Sequence, residues 1–144
     1  MRILRLEHLD LVVSDIKKSV EFYRKLGLYP EGTLDNGDSV YLINGEGGNR
    51  CEHCGCSTGG GTLLTVELHQ AKEGQKTGVD HVSLEVEDVQ TAYNELKYLG
   101  GIDFVIEPRE IPRSGRTIFN FYDPDGVQIQ LSRKTTRGEY EDWH

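Results

Sequence analysis

Two stretches of this chain resemble each other: "LEHLDLVVSDI" at Leu6–Ile16 and "VDHVSLEVEDV" at Val79–Val89. The first maps onto the second at a constant offset of 73 positions, which aligns His8 with His81. The same offset continues to a Leu-Gly pair further along each copy. So many matches at one offset indicate two copies of one supersecondary unit.

Each copy has the sequence pattern of a βαβββ unit. Apolar residues alternate along the opening strand, and an aspartate, Asp15 or Asp88, then precedes residues with helical spacing. Short β-rich runs follow each helix: "SVYLIN" and "TLLTVELH" in the first copy, "RTIFNFY" and "VQIQLS" in the second. We therefore predict an α+β fold of two tandem βαβββ modules. Their mostly antiparallel sheet curves around a cavity, and the helices cover its outer face.

The repeat also predicts the domain organisation. Residues 1–132 form a single domain, with module one at about 5–70 and module two at about 78–132. A Gly- and Cys-rich insertion at 45–61 lengthens the first copy, and a polar C-terminal tail without periodicity occupies 133–144. A chain of this size usually folds as one domain with its own core.

Composition excludes several classes of partner. The 144 residues carry a formal net charge of -8, which would repel nucleic acid or an anionic membrane surface. No apolar run is long enough to span a bilayer, and no charged-then-apolar leader opens the chain. We expect a cytoplasmic protein that binds a small molecule, with no nucleic-acid and no membrane partner.

Polar residues on one face of the predicted strands form a candidate metal site. Side chains alternate with a period of two, so the face opposite the helices carries the polar positions of each strand. The first and last strands of the two copies each contribute one residue: His8, Glu67, His81 and Gln130. Nitrogen and oxygen donors of this kind suit one divalent ion, such as zinc, nickel, cobalt, manganese or ferrous iron.

Four motifs carry a resemblance to a known family. They are "EHLDLVVSDIKKSVEFYRKLG", "LTVELHQ", "VDHVSLEVEDV" and "NFYDPDGVQIQLS", which together extend over nearly the whole chain. The chain resembles the vicinal oxygen chelate superfamily, which includes glyoxalase I, methylmalonyl-CoA epimerase, extradiol dioxygenases and bleomycin resistance proteins. The resemblance implies a metal-lined cavity, and modules that pair within one chain or swap across a homodimer.

The resemblance also implies roles for the four candidate ligands. His8, His81 and Glu67 match ligand positions of the family, whereas Gln130 occupies a position that usually holds glutamate. A neutral amide cannot take a proton at ordinary pH. Because the copies are related by a pseudo-two-fold axis, Glu67 can supply the carboxylate instead. Our hypothesis is that Glu67 is both ligand and catalytic base, and abstracts a proton next to a carbonyl.

The function implied by the family is a metal-dependent lyase or isomerase resembling glyoxalase I, acting on a small substrate chelated through neighbouring oxygens. One alternative is an extradiol-type ring-cleaving dioxygenase, in which His8, His81 and Glu67 bind ferrous iron. A second alternative is a metal-free small-molecule binding protein of the bleomycin-resistance kind.

Two further groups of residues are candidates for binding. Substrate-binding candidates are His69, which shares the face of Glu67, and three arginines of a proline-containing loop, "EPREIPRSGR": Arg109, Arg113 and Arg116. The alternative for the arginines is a solvated loop. The insertion holds Cys51, Cys54 and Cys56, which have the spacing of a possible second metal site; a solvated loop and a thiol role are the alternatives.

Overall fold

The structure, a computed structural model, describes residues 1–44 and 64–143. Eight strands and two α-helices occur in these residues. Their bounds are β1 Ile3–Val13, α1 Ile16–Arg24, β2 Leu28–Leu34, β3 Ser39–Asn44, β4 Thr65–Gln70, β5 Gly78–Val86, α2 Val89–Leu99, β6 Asp103–Ile111, β7 Arg116–Tyr122 and β8 Gln128–Lys134. A short 3-10 helix at Asp35–Gly37 joins β2 to β3. Neither described α-helix is both long and apolar enough to cross a membrane.

The strands form one open, mixed sheet in the order β2-β3-β4-β1-β5-β8-β7-β6. The central pair, β1 and β5, is antiparallel and joins the two modules, while β2 and β6 are the outermost strands. Within each module the opening strand pairs with the closing strand in parallel, β1 with β4 and β5 with β8. The remaining pairs are antiparallel, so the α+β fold of two βαβββ modules is confirmed.

The aspartate predicted to open each helix is the N-cap residue that directly precedes it. The side chain of Asp15 accepts a hydrogen bond from the backbone N–H of Lys18, and Asp88 accepts one from that of Thr91. A carboxylate at this position satisfies a backbone donor that the first turn leaves unpaired. The N–H groups of Thr91 and Gln90 hold the pKa of Asp88 below its usual range.

Each module has its own apolar core between its helix and the sheet. In module one the core joins α1 to strands β2, β3 and β4, with Val20, Leu42 and Leu68 among its fully buried members. In module two it joins α2 to β5, β7 and β8, with Phe119 and Leu131 at its centre. The helices thus cover one face of the sheet, and the polar face is left to line a cavity, as the strand alternation predicts.

The segment "EPREIPRSGR" is not the loop that we expected. Residues through Ile111 belong to β6, Arg116 begins β7, and the turn between them is short. Pro108 lies inside β6, where the sequence alone suggests a break. An outermost strand tolerates proline because one side of it has no ladder partner, which explains the difference.

Candidate metal centre

The central strand pair brings the two repeated histidines together. Asp10 of β1 lies opposite His81 of β5, and His8 lies opposite Ser83. The Nε2 atoms of His8 and His81 are 3.2 Å apart, with the two rings edge to face. In this chain the two histidines thus lie on the adjacent central strands β1 and β5.

Each histidine is oriented by the acidic residue that precedes it. The Glu7 carboxylate contacts Nδ1 of His8, and Oδ2 of Asp80 lies 2.8 Å from Nδ1 of His81. Regular alternation would place neighbouring side chains on opposite faces. The pairing register of β1 with β5 is interrupted at Glu7 in β1 and at Asp80 in β5, because neither residue has a partner in the ladder. These irregularities allow the side chain of each acid to lie on the same face of the sheet as the histidine that follows it. The hydrogen bond with His81 lowers the pKa of Asp80.

This arrangement favours a cation between the rings. A carboxylate at Nδ1 keeps the proton there, so the Nε2 atom of each neutral imidazole presents a lone pair. The Nε2 atoms of His8 and His81 face each other across 3.2 Å, so with both ring protons on Nδ1 their lone pairs converge on one point. Two nitrogen ligands at about 2.1 Å from one ion lie about 3.0 Å apart at a right angle and about 3.4 Å apart at the tetrahedral angle. The spacing therefore fits a shared metal ion.

Asp10 adds a carboxylate that the sequence-based ligand set omitted. It is buried, and its Oδ2 lies 3.7 Å from Nε2 of His81. The ligand atoms of His8, Asp10 and His81 all lie within 4.8 Å of one another. Two histidines and one carboxylate are a common ligand set for non-haem iron.

Glu67 projects from β4 into the same cavity but is held by two donors. Nη1 of Arg116 lies 2.6 Å from Oε1, and the Tyr140 hydroxyl donates to the same oxygen over 3.0 Å. Burial alone would raise the pKa of Glu67, but the Arg116 guanidinium, and to a lesser degree His8, lower it to about 2. Glu67 is therefore an anion at neutral pH, and Oε2 is the oxygen left facing His69.

Arg116 is a structural cation and not the free substrate clamp that we predicted. It is buried and makes three hydrogen bonds of 3.1 to 3.2 Å to Glu7, in addition to its contact with Glu67. Burial by itself would raise the pKa of Glu7, yet Arg116 and His8 hold it well below the usual range. Arg116 is thus already neutralised by two carboxylates.

The two other arginines of the predicted clamp line the cavity, whose volume is about 960 Å³. Arg109 is exposed at its edge. Arg113 forms an ion pair with Asp35 of the 3-10 helix, at the surface. These two side chains, unlike Arg116, lie where they can meet an anionic group of a ligand.

His69 lies beside the candidate ligands. Its Nε2 is 2.6 Å from Oδ2 of Asp10 and 3.8 Å from Oε2 of Glu67, and its Nδ1 is 3.1 Å from the hydroxyl of Ser39. Burial would lower the pKa of His69, but the hydrogen bond to Asp10 and the charges of Asp10, Glu67 and Asp80 together outweigh burial, and the pKa is raised. Asp10, Glu67 and His69 form a second compact group with ligand atoms within 4.8 Å.

Gln130 borders the cavity with its amide engaged on both sides. Its Oε1 accepts a hydrogen bond from Ser83 over 3.0 Å, and its Nε2 donates to Asn120 over 3.2 Å. A carbonyl oxygen has a second lone pair, so this geometry leaves one acceptor position on Gln130.

The three cysteines of the possible second metal site, Cys51, Cys54 and Cys56, lie outside the described residues.

Four residues of the site were missed from the sequence: Glu7, Asp10, Asp80 and Tyr140. A signal existed for two of them, because the acid-histidine dipeptide recurs at the same offset as the histidines themselves. Asp10 stood on the predicted polar face without being assigned a role. Tyr140 lies in the C-terminal segment, where no periodicity points to the cavity.

Comparison with known proteins adds to this geometry. A family model for the Glyoxalase/Bleomycin resistance protein/Dioxygenase superfamily matches residues 5–131. The uncharacterized protein YraH of Bacillus subtilis (strain 168) is 29% identical over 129 residues, which cover 89% of this chain and 97% of that protein.

Solved structures share the fold at low sequence identity. Methylmalonyl-CoA epimerase of Streptomyces coelicolor, in complex with 2-nitronate-propionyl-CoA, superposes with a TM-score of 0.65 at 19% identity, covering 94% of this chain and 98% of that one. The Mn(II)-bound glyoxalase of Novosphingobium aromaticivorans gives 0.65 at 19% identity, covering 99% of this chain and 43% of that one. Together with the family model, the repeat and the fold, these comparisons show that the chain belongs to the glyoxalase/bleomycin resistance protein/dioxygenase superfamily.

Proposed function

We propose that this protein is a metal-dependent lyase or isomerase of the glyoxalase type, acting on a small substrate that presents neighbouring oxygens. The observation that carries the proposal is the pair of Nε2 atoms of His8 and His81, 3.2 Å apart, each on a ring held by a carboxylate at Nδ1. Metal-ligating histidines typically have their other ring nitrogen held by such a partner.

The charge of the site supports the same proposal. Three buried carboxylates, those of Glu7, Asp10 and Glu67, surround the histidines. Among the described residues, one buried guanidinium, that of Arg116, contacts two of them. The third carboxylate, that of Asp10, is hydrogen-bonded to His69, whose pKa is raised. Three carboxylates thus face one guanidinium and one imidazole, and a divalent cation at His8 and His81 offsets the remaining negative charge. Buried charges without such compensation are costly.

In this proposal His8 and His81 are the nitrogen ligands of one ion: zinc, nickel, cobalt, manganese or iron. Asp10 from the structure has its carboxylate 3.7 Å from Nε2 of His81, and Glu67 and Gln130 from the sequence-based set line the same cavity. When bound, the ion withdraws electron density from a substrate carbonyl and acidifies the adjacent C–H group.

Glu67 is the proposed base. Because Arg116 and Tyr140 occupy Oε1, the oxygen that takes the proton is Oε2. A pKa of about 2 keeps that oxygen deprotonated, and it also restricts Glu67 to protons that the site has made strongly acidic. Substrates with a carbonyl next to the reacting carbon, such as α-hydroxycarbonyl compounds, meet this condition. Arg109 and Arg113 at the cavity edge are positioned for an anionic group of such a substrate.

Two measurements test the proposal. Elemental mass spectrometry should find about one divalent ion per chain in the wild type and none in a His8→Ala, His81→Ala double variant.

The second measurement is deuterium exchange. In D₂O, the metal-loaded wild type should incorporate deuterium into a set of α-hydroxycarbonyl compounds. Glu67→Gln should abolish that exchange and retain metal, whereas Glu73→Gln, on the exposed β4–β5 connection, should leave both unchanged. Exchange by Glu67→Gln would refute the base assignment.

A second candidate function is an extradiol-type ring-cleaving dioxygenase. It is favoured by the compact group of His8, His81 and Asp10, since two histidines and a carboxylate bind ferrous iron in many oxygenases. Oxygen uptake with catechols by the iron-loaded protein would support it. A wild-type protein that binds no divalent ion would instead support a metal-free binding protein.

The homodimer implied by the family stays a prediction. Light scattering after size-exclusion chromatography tests it by measuring the molar mass.

A further inference from the structure

The C-terminal segment 135–143, here called the strap, crosses the polar side of the sheet from module two to module one. Its start is hydrogen-bonded to the β6–β7 turn. The backbone N–H of Thr135 donates to the Gly115 carbonyl over 2.8 Å, and the backbone N–H of Glu139 donates to the Arg113 carbonyl over 2.7 Å. Its end pairs with β2, where Glu141 and Thr33 exchange two backbone hydrogen bonds of 2.7 and 2.9 Å. Trp143 packs against the core of module one. The strap is therefore anchored in both modules.

Glycines on both sides of the strap allow this close approach. A Cβ atom at Gly32 would lie 2.9 Å from Cβ of Tyr140, and one at Gly115 would lie 2.2 Å from the carbonyl oxygen of Thr136. Real Cβ contacts are essentially never this short, so any side chain at these positions requires the strap to shift. The β2 strand and the β6–β7 turn are thus shaped to receive the strap.

Tyr140 is the side chain that the strap places in the cavity. Its ring packs on that of Tyr41, with centroids 5.3 Å apart, and the ammonium of Lys134 lies 5.2 Å from its centroid. Its hydroxyl donates to Oε1 of Glu67 over 3.0 Å and accepts from Nη1 of Arg116 over 3.2 Å. Burial raises the pKa of the phenol, so the hydroxyl keeps its proton and remains a donor.

We propose that Tyr140 is a positioning residue, which the strap delivers to the metal centre to hold Glu67 with Oε1 turned away from the ion and Oε2 turned towards it. The inference rests on the proposed function. Two donors on one oxygen block rotation of the carboxylate, so a single oxygen is presented to the centre. Partners that orient a ligand in this way typically change metal affinity by about 10- to 100-fold when removed.

The experiment is a Co²⁺ titration of the metal-free protein, followed by visible absorption of the bound ion. We compare the wild type with Tyr140→Phe, Glu67→Gln and the double variant. Tyr98→Phe, on α2 with 91% of its surface exposed, is the matched control. We expect Tyr140→Phe to weaken Co²⁺ binding about tenfold and to alter the absorption bands, and Tyr98→Phe to do neither. In the Glu67→Gln background, the loss of the tyrosine hydroxyl should change affinity by less than about twofold.

The outcomes separate this proposal from the proposed function. Unchanged Co²⁺ affinity in Tyr140→Phe, or an equal loss with and without the Glu67 carboxylate, would overturn the positioning role and leave the metal centre standing. Absence of Co²⁺ binding by the wild type would overturn the metal centre and the positioning role together. Urea unfolding of each variant identifies a general loss of structure, because a merely structural role would weaken folding without depending on Glu67.

Discussion

Replacement of Arg116 by methionine tests the electrostatic structure of the site. Arg116 is the guanidinium between Glu7 and Glu67, and its removal leaves two buried carboxylates without their charged partner. Breaking a buried ion pair on one side costs about 3–5 kcal/mol, out of a total stability of about 5–15 kcal/mol for a typical domain. With a urea dependence of about 2 kcal/mol per M, a loss of 4 kcal/mol lowers the unfolding midpoint by about 2 M.

The pH dependence of this loss is a second, independent consequence. In the wild type, the lowered pKa values of Glu7 and Glu67 stabilise the fold above the ordinary carboxyl pKa of 4.5, and this stabilisation is lost as the pH falls towards about 2. In the variant only His8 and, at Glu67, His69 still oppose burial, so both pKa values lie above those of the wild type. The variant therefore loses less stability than the wild type as the pH falls below 4.5, and the difference in stability between the two proteins becomes smaller.

The assay is urea unfolding of the metal-free proteins at pH 7 and pH 4, followed by circular dichroism. Arg137→Met removes an exposed arginine of the strap and is the matched control, with an expected effect near zero. A loss below about 1 kcal/mol at pH 7 in Arg116→Met would refute the buried ion-pair network. So would a difference from the wild type that stays constant or grows between pH 7 and pH 4.

Two other substitutions test the centre and the strap. Asp10→Asn removes a buried carboxylate next to His81 and should weaken Co²⁺ binding at least about tenfold. The control Asp125→Asn, in an exposed turn, should leave the Co²⁺ affinity unchanged. Equal Co²⁺ affinities of Asp10→Asn and the wild type would exclude Asp10 as a ligand. Gly32→Ala places a Cβ atom 2.9 Å from Cβ of Tyr140. Because overpacking destabilises a fold, the free energy of unfolding in urea should fall by about 1–3 kcal/mol. An unchanged free energy of unfolding would show that the strap does not pack closely against Gly32.

Much of the fold could be predicted because two independent signals agree. The 73-residue offset gives the duplication, and strand alternation gives the face of each strand. The predicted strand "RTIFNFY" is β7 and "SVYLIN" is β3, each with the same bounds. The two histidines followed from the same offset, and the structure brings their Nε2 atoms together.

The remaining features depend on interactions that no local pattern encodes. A period of two cannot locate the register shifts at Glu7 and Asp80, because they arise from how β1 and β5 pair. The state of Glu67 depends on Arg116, which is distant in sequence. Tyr140 reaches the site because the strap packs across both modules, and such packing leaves no periodicity in the tail.

The two outermost strands of the open sheet have a consequence for solubility. An exposed strand edge is a template on which a strand of another chain can add, and proteins commonly blunt such edges with proline and with irregular pairing. Here β2 contains Pro30 and β6 contains Pro108, and the pairing of each strand shifts register beside its proline. The strap also occupies part of β2 at Thr33. The sheet can therefore stay open around its cavity without offering a regular edge for aggregation.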